Sequence, residues 1–96
     1  MRFSFDPAKN EKNIAVRGLS FELAAELEWT NALVTEDTRR DYGELRLRVL
    51  ALLNGRLYAV VVTPRHGELR VISFRKANRK EERLYEQYSE DQANTP

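Results

Sequence analysis

Cysteine is missing from this 96-residue chain, and histidine, tryptophan and methionine each occur once or nearly so: one His, one Trp, one Met. Without thiols there can be no disulfide framework and no thiolate metal site, and a reducing compartment is the natural expectation. A single histidine beside scattered carboxylates gives no metal-ligand cluster, so neither a metal nor another cofactor is expected. The opening "MRFSFDPAKN" holds no apolar run long enough for a signal peptide. No later stretch approaches the roughly 20 apolar residues that a spanning helix requires. These absences together predict a soluble, cytoplasmic protein that does not engage membranes. At this length the chain forms one domain, residues 1–96, around one core.

Charge is plentiful but nearly balanced, with 16 basic and 15 acidic side chains and a net +1. Its distribution is uneven. Between Leu19 and Glu44, seven acids (Glu22, Glu26, Glu28, Glu36, Asp37, Asp41, Glu44) face only Arg39 and Arg40. Between Arg65 and Arg83, seven bases face Glu68, Glu81 and Glu82. Such polarity implies one face that binds anions and one that repels them.

"RFSF" alternates like a short strand. Asp6 supplies an N-cap and Pro7 an N1 residue for a helix that Gly18 stops. Ser20 caps a second expected helix pairing Leu23 with Leu27 and ending near Trp29. "ALVTED" is a weaker strand signal. "LRLRVLALL" (45–53) and "RLYAVVVT" (56–63) flank Asn54-Gly55, a hairpin turn in which both residues tolerate positive φ. That turn sets Val49 against Val60 and Arg48 against Val61. "PRHG" reads as a four-residue loop into "ELRVISF" (68–74), setting Val61 against Arg70. Asn78 and Glu81 form a capping-box pattern for a last helix with Leu84, Tyr85 and Tyr88 on its apolar stripe. Residues 89–96 read as a frayed tail. The expected fold is α+β: an antiparallel sheet with two N-terminal helices and one C-terminal helix.

Cross-strand registers place Leu45, Leu47, Val49, Ala51, Tyr58, Val60, Val62, Leu69 and Val71 on a core face. The other face is apolar near the Asn54-Gly55 turn and becomes Arg46, Arg48, Thr63, Glu68 and Arg70 at its far end, with Arg65 and His66 adjoining. Three arginines on neighbouring strands repel one another unless an anion or an acidic partner sits among them. A second basic group surrounds the strand-to-helix join: Arg75, Lys76, Arg79, Lys80 and Arg83. Arg79 and Lys80 stand in a helical first turn, where the macrodipole disfavours cations and free N–H groups favour phosphate.

"FDPAKNEKNIAVRGLSF", "YGELRLRVLALLNGRLYAVVVTPR" and above all "LRVISFRKANRKEERLYE" resemble the BrnT family of ribonuclease toxins from type II toxin–antitoxin pairs. The resemblance runs from Phe3 to about Tyr88. Its most specific part is carried by Ile72, Ser73, Arg75, Lys76, Ala77, Glu82, Arg83 and Tyr85. It implies a RelE-like fold, RNA cleavage, growth inhibition, and a BrnA-type antitoxin whose complex acts on operator DNA. Two positions depart from the family pattern. Val16-Arg17-Gly18 stands where members carry a basic-His-Gly triplet, and a guanidinium does not titrate in histidine's range. Ala51 stands where a glycine is frequent.

Metal-free RNA cleavage proceeds by attack of a ribose 2′-OH on the adjoining phosphate, and it needs charge stabilisation and proton transfer. Arg46, Arg48, Arg75, Arg79 and Arg83 suit the first task, because guanidinium is planar, bidentate and permanently charged. Arg65, Arg70, Lys76, Lys80 and Arg17 are expected to bind RNA. His66, Glu44 and Tyr85 are the acid–base candidates. Tyr42, Phe74 and Tyr58 are aromatic candidates for base stacking. The competing expectation is a module that uses the same basic face to hold RNA or a partner protein without cleaving.

Overall fold

The computed structural model describes residues 1–94. Strand β1 (Phe3–Ser4) leads into helix α1 (Pro7–Arg17), then two 3₁₀ segments, Phe21–Glu26 and Trp29–Asn31. Strands β2 (Leu33–Glu36), β3 (Leu47–Leu53), β4 (Arg56–Arg65) and β5 (Glu68–Lys76) follow, and helix α2 (Arg79–Ala93) ends the description. The strands form one sheet in the order β1-β5-β4-β3-β2.

The sheet is mixed rather than wholly antiparallel, because β1 runs parallel to β5, pairing Phe3 with Leu69 and Ser4 with Arg70. The partner of β1 is the last strand of the chain, so its direction is a long-range property that alternation within "RFSF" does not reveal. The second expected N-terminal helix is also corrected. After α1 the chain is 3₁₀, and Phe21, Ala24 and Leu27 are the buried residues. A spacing of three lies on one face at three residues per turn, whereas an α-helix would rotate those side chains apart. The caps follow the sequence: Asp6 accepts from Ala8 N–H, and Gly18 takes φ 70°.

The Asn54-Gly55 turn has positive φ at both residues, and its register pairs Val49 with Val60 and Arg48 with Val61 as expected. The next turn is tighter than a four-residue loop. Pro64 and Arg65 belong to β4, His66 and Gly67 take φ 51° and 78°, and Arg70 pairs with Thr63 instead of Val61. The two-residue slip preserves side-chain parity, so Leu69 and Val71 still face the core. A β-bulge then intervenes: Val62 pairs with Val71 and Val61 with Ser73, leaving Ile72 extra. Strict alternation from Val71 would bury Arg75. The bulge instead sends Phe74, fully buried, inward beside Val60 and brings Arg75 out on the opposite face beside Ala59.

Each face has its own apolar cluster. Leu19, Phe21, Ala24 and Leu27 pack on Val49, Val60, Val62, Val71 and Phe74, with Tyr58 against Phe74. Leu45, expected on this face, precedes β3 and is exposed instead. Neither Phe74 nor Tyr58 is therefore placed to stack a base. On the other face, α2 brings Tyr85 onto Leu50, Leu57 and Ala59. Asn78 and Glu81 complete the capping box, worth about 1 kcal/mol. The Tyr85 and Tyr88 hydroxyls donate to the Asn31 and Ala32 carbonyls and fix the helix across the sheet. The helix continues to Ala93, beyond residue 89 where a frayed tail was expected, and the rest of that expectation at residues 95 and 96 lies outside the described residues.

Candidate functional site

Helix α2 covers only one half of its sheet face. The half it leaves uncovered consists of rows defined by the registers: Thr35, Arg48, Val61 and Ser73 in one, Asp37, Arg46, Thr63 and Arg70 in the next, with Asp37 and Thr63 buried beneath their neighbours. Where helix and open rows meet there is a cleft of about 260 Å³, lined among others by Thr35, Arg39, Arg48, Arg75, Glu81 and Leu84.

Three guanidinium groups reach this cleft from three segments: Arg48 from β3, Arg75 from β5, and Arg39 from the loop after β2. Their carboxylate neighbours differ. Arg75 grips Glu81 at two points, Nη1–Oε1 2.8 Å and Nη2–Oε2 2.9 Å, and also donates to the Lys76 carbonyl. Arg48 Nη2 lies 3.7 Å from Glu81 Oε2, an ion pair beyond hydrogen-bond length. Arg39 grips Asp37 at two points, both 2.8 Å. The acids that the sequence suggested were lacking come from outside the arginine strands, and the cleft's net charge falls to +1.

Both carboxylates are buried, with side-chain exposures of 1% for Asp37 and 7% for Glu81. The Arg39 hydrogen bond, against the opposing effect of burial, holds the Asp37 carboxyl far below its ordinary range, with help from the Tyr42 hydroxyl at 3.2 Å. The Arg75 hydrogen bond likewise lowers Glu81, which burial opposes and the Asn78 N–H reinforces. Glu81 raises Arg75, against burial and the like charge of Arg39, which lines the same cleft. The ion pairs do not exhaust the donors. A guanidinium has five N–H groups, so Arg48 keeps all of them, while Arg39 keeps both on Nη1. Two fixed guanidinium forks, Arg39 and Arg75, and the uncommitted Arg48, all partly exposed around one opening, suit a phosphate.

A second basic group adjoins. Glu44 accepts from Arg65 Nη2 at 3.0 Å and from Arg46 Nε at 3.3 Å, and the Arg46 guanidinium lies 4.1 Å over the Tyr42 ring. Arg70 occupies the same row.

The remaining candidates lie elsewhere. Arg79 and Arg83 stand two residues either side of Glu81, so the helical period turns them about 160° away from the cleft. They flank Glu82 and Glu86 on the solvent side, and Lys80 is exposed as well. Lys76 borders a separate depression with Arg56, Glu82 and Tyr85. Arg17 donates to the Asn13 amide oxygen, while the Asn13 amide nitrogen bonds the Leu19 and Phe74 carbonyls, so this arginine belongs to α1 and the other side of the sheet. None of the three acid–base candidates lines the cleft. His66 sits in its exposed turn. Glu44 is lowered, first by Arg65. Tyr85 is raised by burial and directs its hydroxyl to Asn31.

Sequence reasoning missed Arg39, Asp37 and Glu81 as cleft residues. The first two figured only in a charge count, and Glu81 only in such a count and as a capping residue. Among the described residues, no group of three or more His, Cys, Asp or Glu could hold a metal ion, and no helix is long and apolar enough to cross a membrane. Residues 5–81, which include all three cleft arginines and end at Glu81, match the family model described as "Ribonuclease toxin, BrnT, of type II toxin-antitoxin system". No curated protein matches the chain.

Proposed function

The chain belongs to the BrnT family of ribonuclease toxins of type II toxin–antitoxin systems, and we propose that it cleaves RNA without a metal, using the cleft between α2 and the open half of the sheet. The 2′-oxygen of one ribose attacks the adjoining phosphorus, the bond to the 5′-oxygen breaks, and the products are a 2′,3′-cyclic phosphate and a 5′-hydroxyl. Arg48 and Arg75 donate to the phosphoryl oxygens, on which charge accumulates in the transition state. The observation that carries this reading is their convergence on one opening, with Arg75 fixed by Glu81. Arg46, Arg65 and Arg70 extend the positive surface along the next row and would hold the flanking strand.

Glu81 acts here as a brace and not as the base. Its oxygens already accept from Arg75 and the Asn78 N–H, and its proton affinity is lowered. Catalysis then rests on charge stabilisation and in-line positioning, with water exchanging the protons. A BrnA-type antitoxin would silence the protein in the cytoplasm, and their complex would act on operator DNA. Kinship with RelE-like toxins is part of the same reading, supported by family membership.

The deciding experiment incubates purified protein with RNA in EDTA and analyses the product ends. Cyclic phosphate and 5′-hydroxyl termini, lost in Arg48→Ala and Arg75→Ala, are expected. RNA left intact by the wild type would sink the proposal. It would favour the alternative, a module that binds RNA or a partner without cleaving, for which one observation already speaks: the cleft lining includes no group that titrates near neutrality.

A further inference from the structure

Arg39 differs from every arginine singled out by the sequence pattern, because it is presented by a loop and held by the most buried carboxylate of the cleft. The bond set is specific. Asp37 Oδ1 accepts from Arg39 Nε at 2.8 Å and from the Arg39 backbone N–H at 3.2 Å; Oδ2 accepts from Arg39 Nη2 at 2.8 Å and from the Tyr42 hydroxyl at 3.2 Å. The Asp37 N–H itself donates to the Arg46 carbonyl at 2.8 Å, extending the β2–β3 ladder by one pair. A loop arginine is thereby anchored to the sheet through a carboxylate with 1% of its side chain exposed, while 61% of the Arg39 side chain remains open to solvent. Ordinary surface pairs leave both partners wet and contribute little. Burying one partner and exposing the other fixes the direction of the exposed fork.

We propose that Arg39 is a phosphate-contact residue that grips the RNA backbone from the wall of the cleft opposite Arg75, and that Asp37 is its positioning residue. The inference rests on the ribonuclease reading only for the identity of the ligand as RNA. Arg39 keeps both Nη1 hydrogens and one on Nη2 for the ligand, and Arg75 keeps its Nε hydrogen and one on Nη2. The two forks face a common space, since Arg39 and Arg48 line the same cleft as Arg75 and Glu81. A phosphate between them neutralises the like-charge repulsion that Arg39 exerts on Arg75.

The test measures binding of a 2′-O-methyl RNA oligonucleotide, which lacks the attacking hydroxyl, over a range of KCl concentrations. Arg39→Ala should raise Kd at least about fivefold and flatten the log–log salt slope by about 0.7, one phosphate contact on a single strand. Arg40→Ala removes the same charge one residue away and should change Kd less than about twofold. Asp37→Asn supplies a test of sign. Removing a negative charge near a phosphate should tighten binding by simple field arguments, whereas loss of the anchor should weaken it. Weakening is expected, and Asp37→Asn combined with Arg39→Ala should bind no worse than Arg39→Ala alone, because Asp37 acts through Arg39. Melting curves identify a variant that does not fold; Arg39→Lys, which keeps the charge and loses the fork, then serves in place of Asp37→Asn and should also weaken binding.

Equal effects of Arg39→Ala and Arg40→Ala, tighter binding by Asp37→Asn, or no binding by the wild type would each overturn the inference. If the wild type binds with the expected pattern but leaves ordinary RNA intact, the ribonuclease reading fails and the grip stands. If it cleaves RNA and Arg39→Ala changes nothing, the reading stands and the grip fails.

Discussion

Arg75 and Glu81, six residues apart, close a two-point ion pair across the junction where β5 gives way to α2. Oε1 of the same carboxylate also accepts the Asn78 N–H at the helix start. One buried group thus performs two tasks, finishing the capping box and fixing the orientation of an arginine. Positive charge at this junction is therefore sorted: Arg75 is turned onto the cleft face by the bulge and locked by Glu81, while Arg79, Lys80 and Arg83 remain on the solvent side.

Replacing Arg75 by alanine should cost both activity and stability. Cleavage is expected to fall at least about a hundredfold through loss of a transition-state donor. Stability should drop by about 2 kcal/mol because Glu81 keeps its burial and loses its main partner, an effect tempered by the 39% exposure of the Arg75 side chain. Arg75→Lys retains charge but not the fork, so it should recover part of the stability and little of the activity. Single-turnover cleavage and urea melts check both. Wild-type cleavage by Arg75→Ala would remove this residue from the chemistry.

Arg79 and Arg83 should behave differently from Arg48. Alanine at either outer position is expected to weaken RNA binding only about two- to threefold at low salt, with no effect near 1 M, where screening acts within about 3 Å. The rate at saturating RNA should stay within about twofold. Arg48→Ala should lower that rate at least about a hundredfold. Equal losses for all three would mean that the helix face, and not the cleft, meets the scissile phosphate.

The sequence was most legible where local chemistry is decisive. Asn54-Gly55 set the central hairpin and with it the shared face of Arg46 and Arg48, and Asp6, Gly18, Asn78 and Glu81 marked helix ends correctly. The His66-Gly67 turn was read too wide because a histidine in the left-handed region carries no composition signal. The bulge at Ile72 was hidden because it depends on Phe74 outcompeting Ser73 for the core, a tertiary preference. That hidden bulge carries Arg75 into the cleft. Arg39 escaped because nothing in "EDTRRDY" separates Arg39 from Arg40 until Asp37 is buried.

Acid should unfold the protein through the carboxylates in and beside the cleft. Asp37, Glu81 and Glu44 are all held below their ordinary values of 3.8 and 4.5. The unfolded chain therefore binds more protons than the folded one in this range, and stability rises with pH there. The contribution is fully present above about pH 4.5 and is lost as pH falls through the depressed folded values. Melting temperatures measured from pH 2.5 to 7 should stay flat at the upper end and decline below about 4.5. Asp37→Asn should be less stable at pH 7 and show a shallower decline below pH 3.8. A parallel decline in the variant would mean that Asp37 does not ionise differently on folding.

His66 offers the last test, because it separates electrostatic catalysis from general acid–base catalysis. It is the chain's one histidine and the one side chain whose ordinary range spans neutrality. The structure places it in the two-residue turn beyond Arg65, at φ 51°, with no share in the cleft lining. His66→Ala should therefore cleave RNA within about twofold of the wild type, and the pH–rate profiles of the two proteins should superimpose. His66→Gly, which suits the left-handed backbone, should match or slightly exceed wild-type stability, by up to about 1 kcal/mol. A bell-shaped profile that vanishes in His66→Ala would require the β4–β5 turn to fold over the cleft during the reaction. Charge stabilisation by Arg48 and Arg75 alone would then be an insufficient account of the rate.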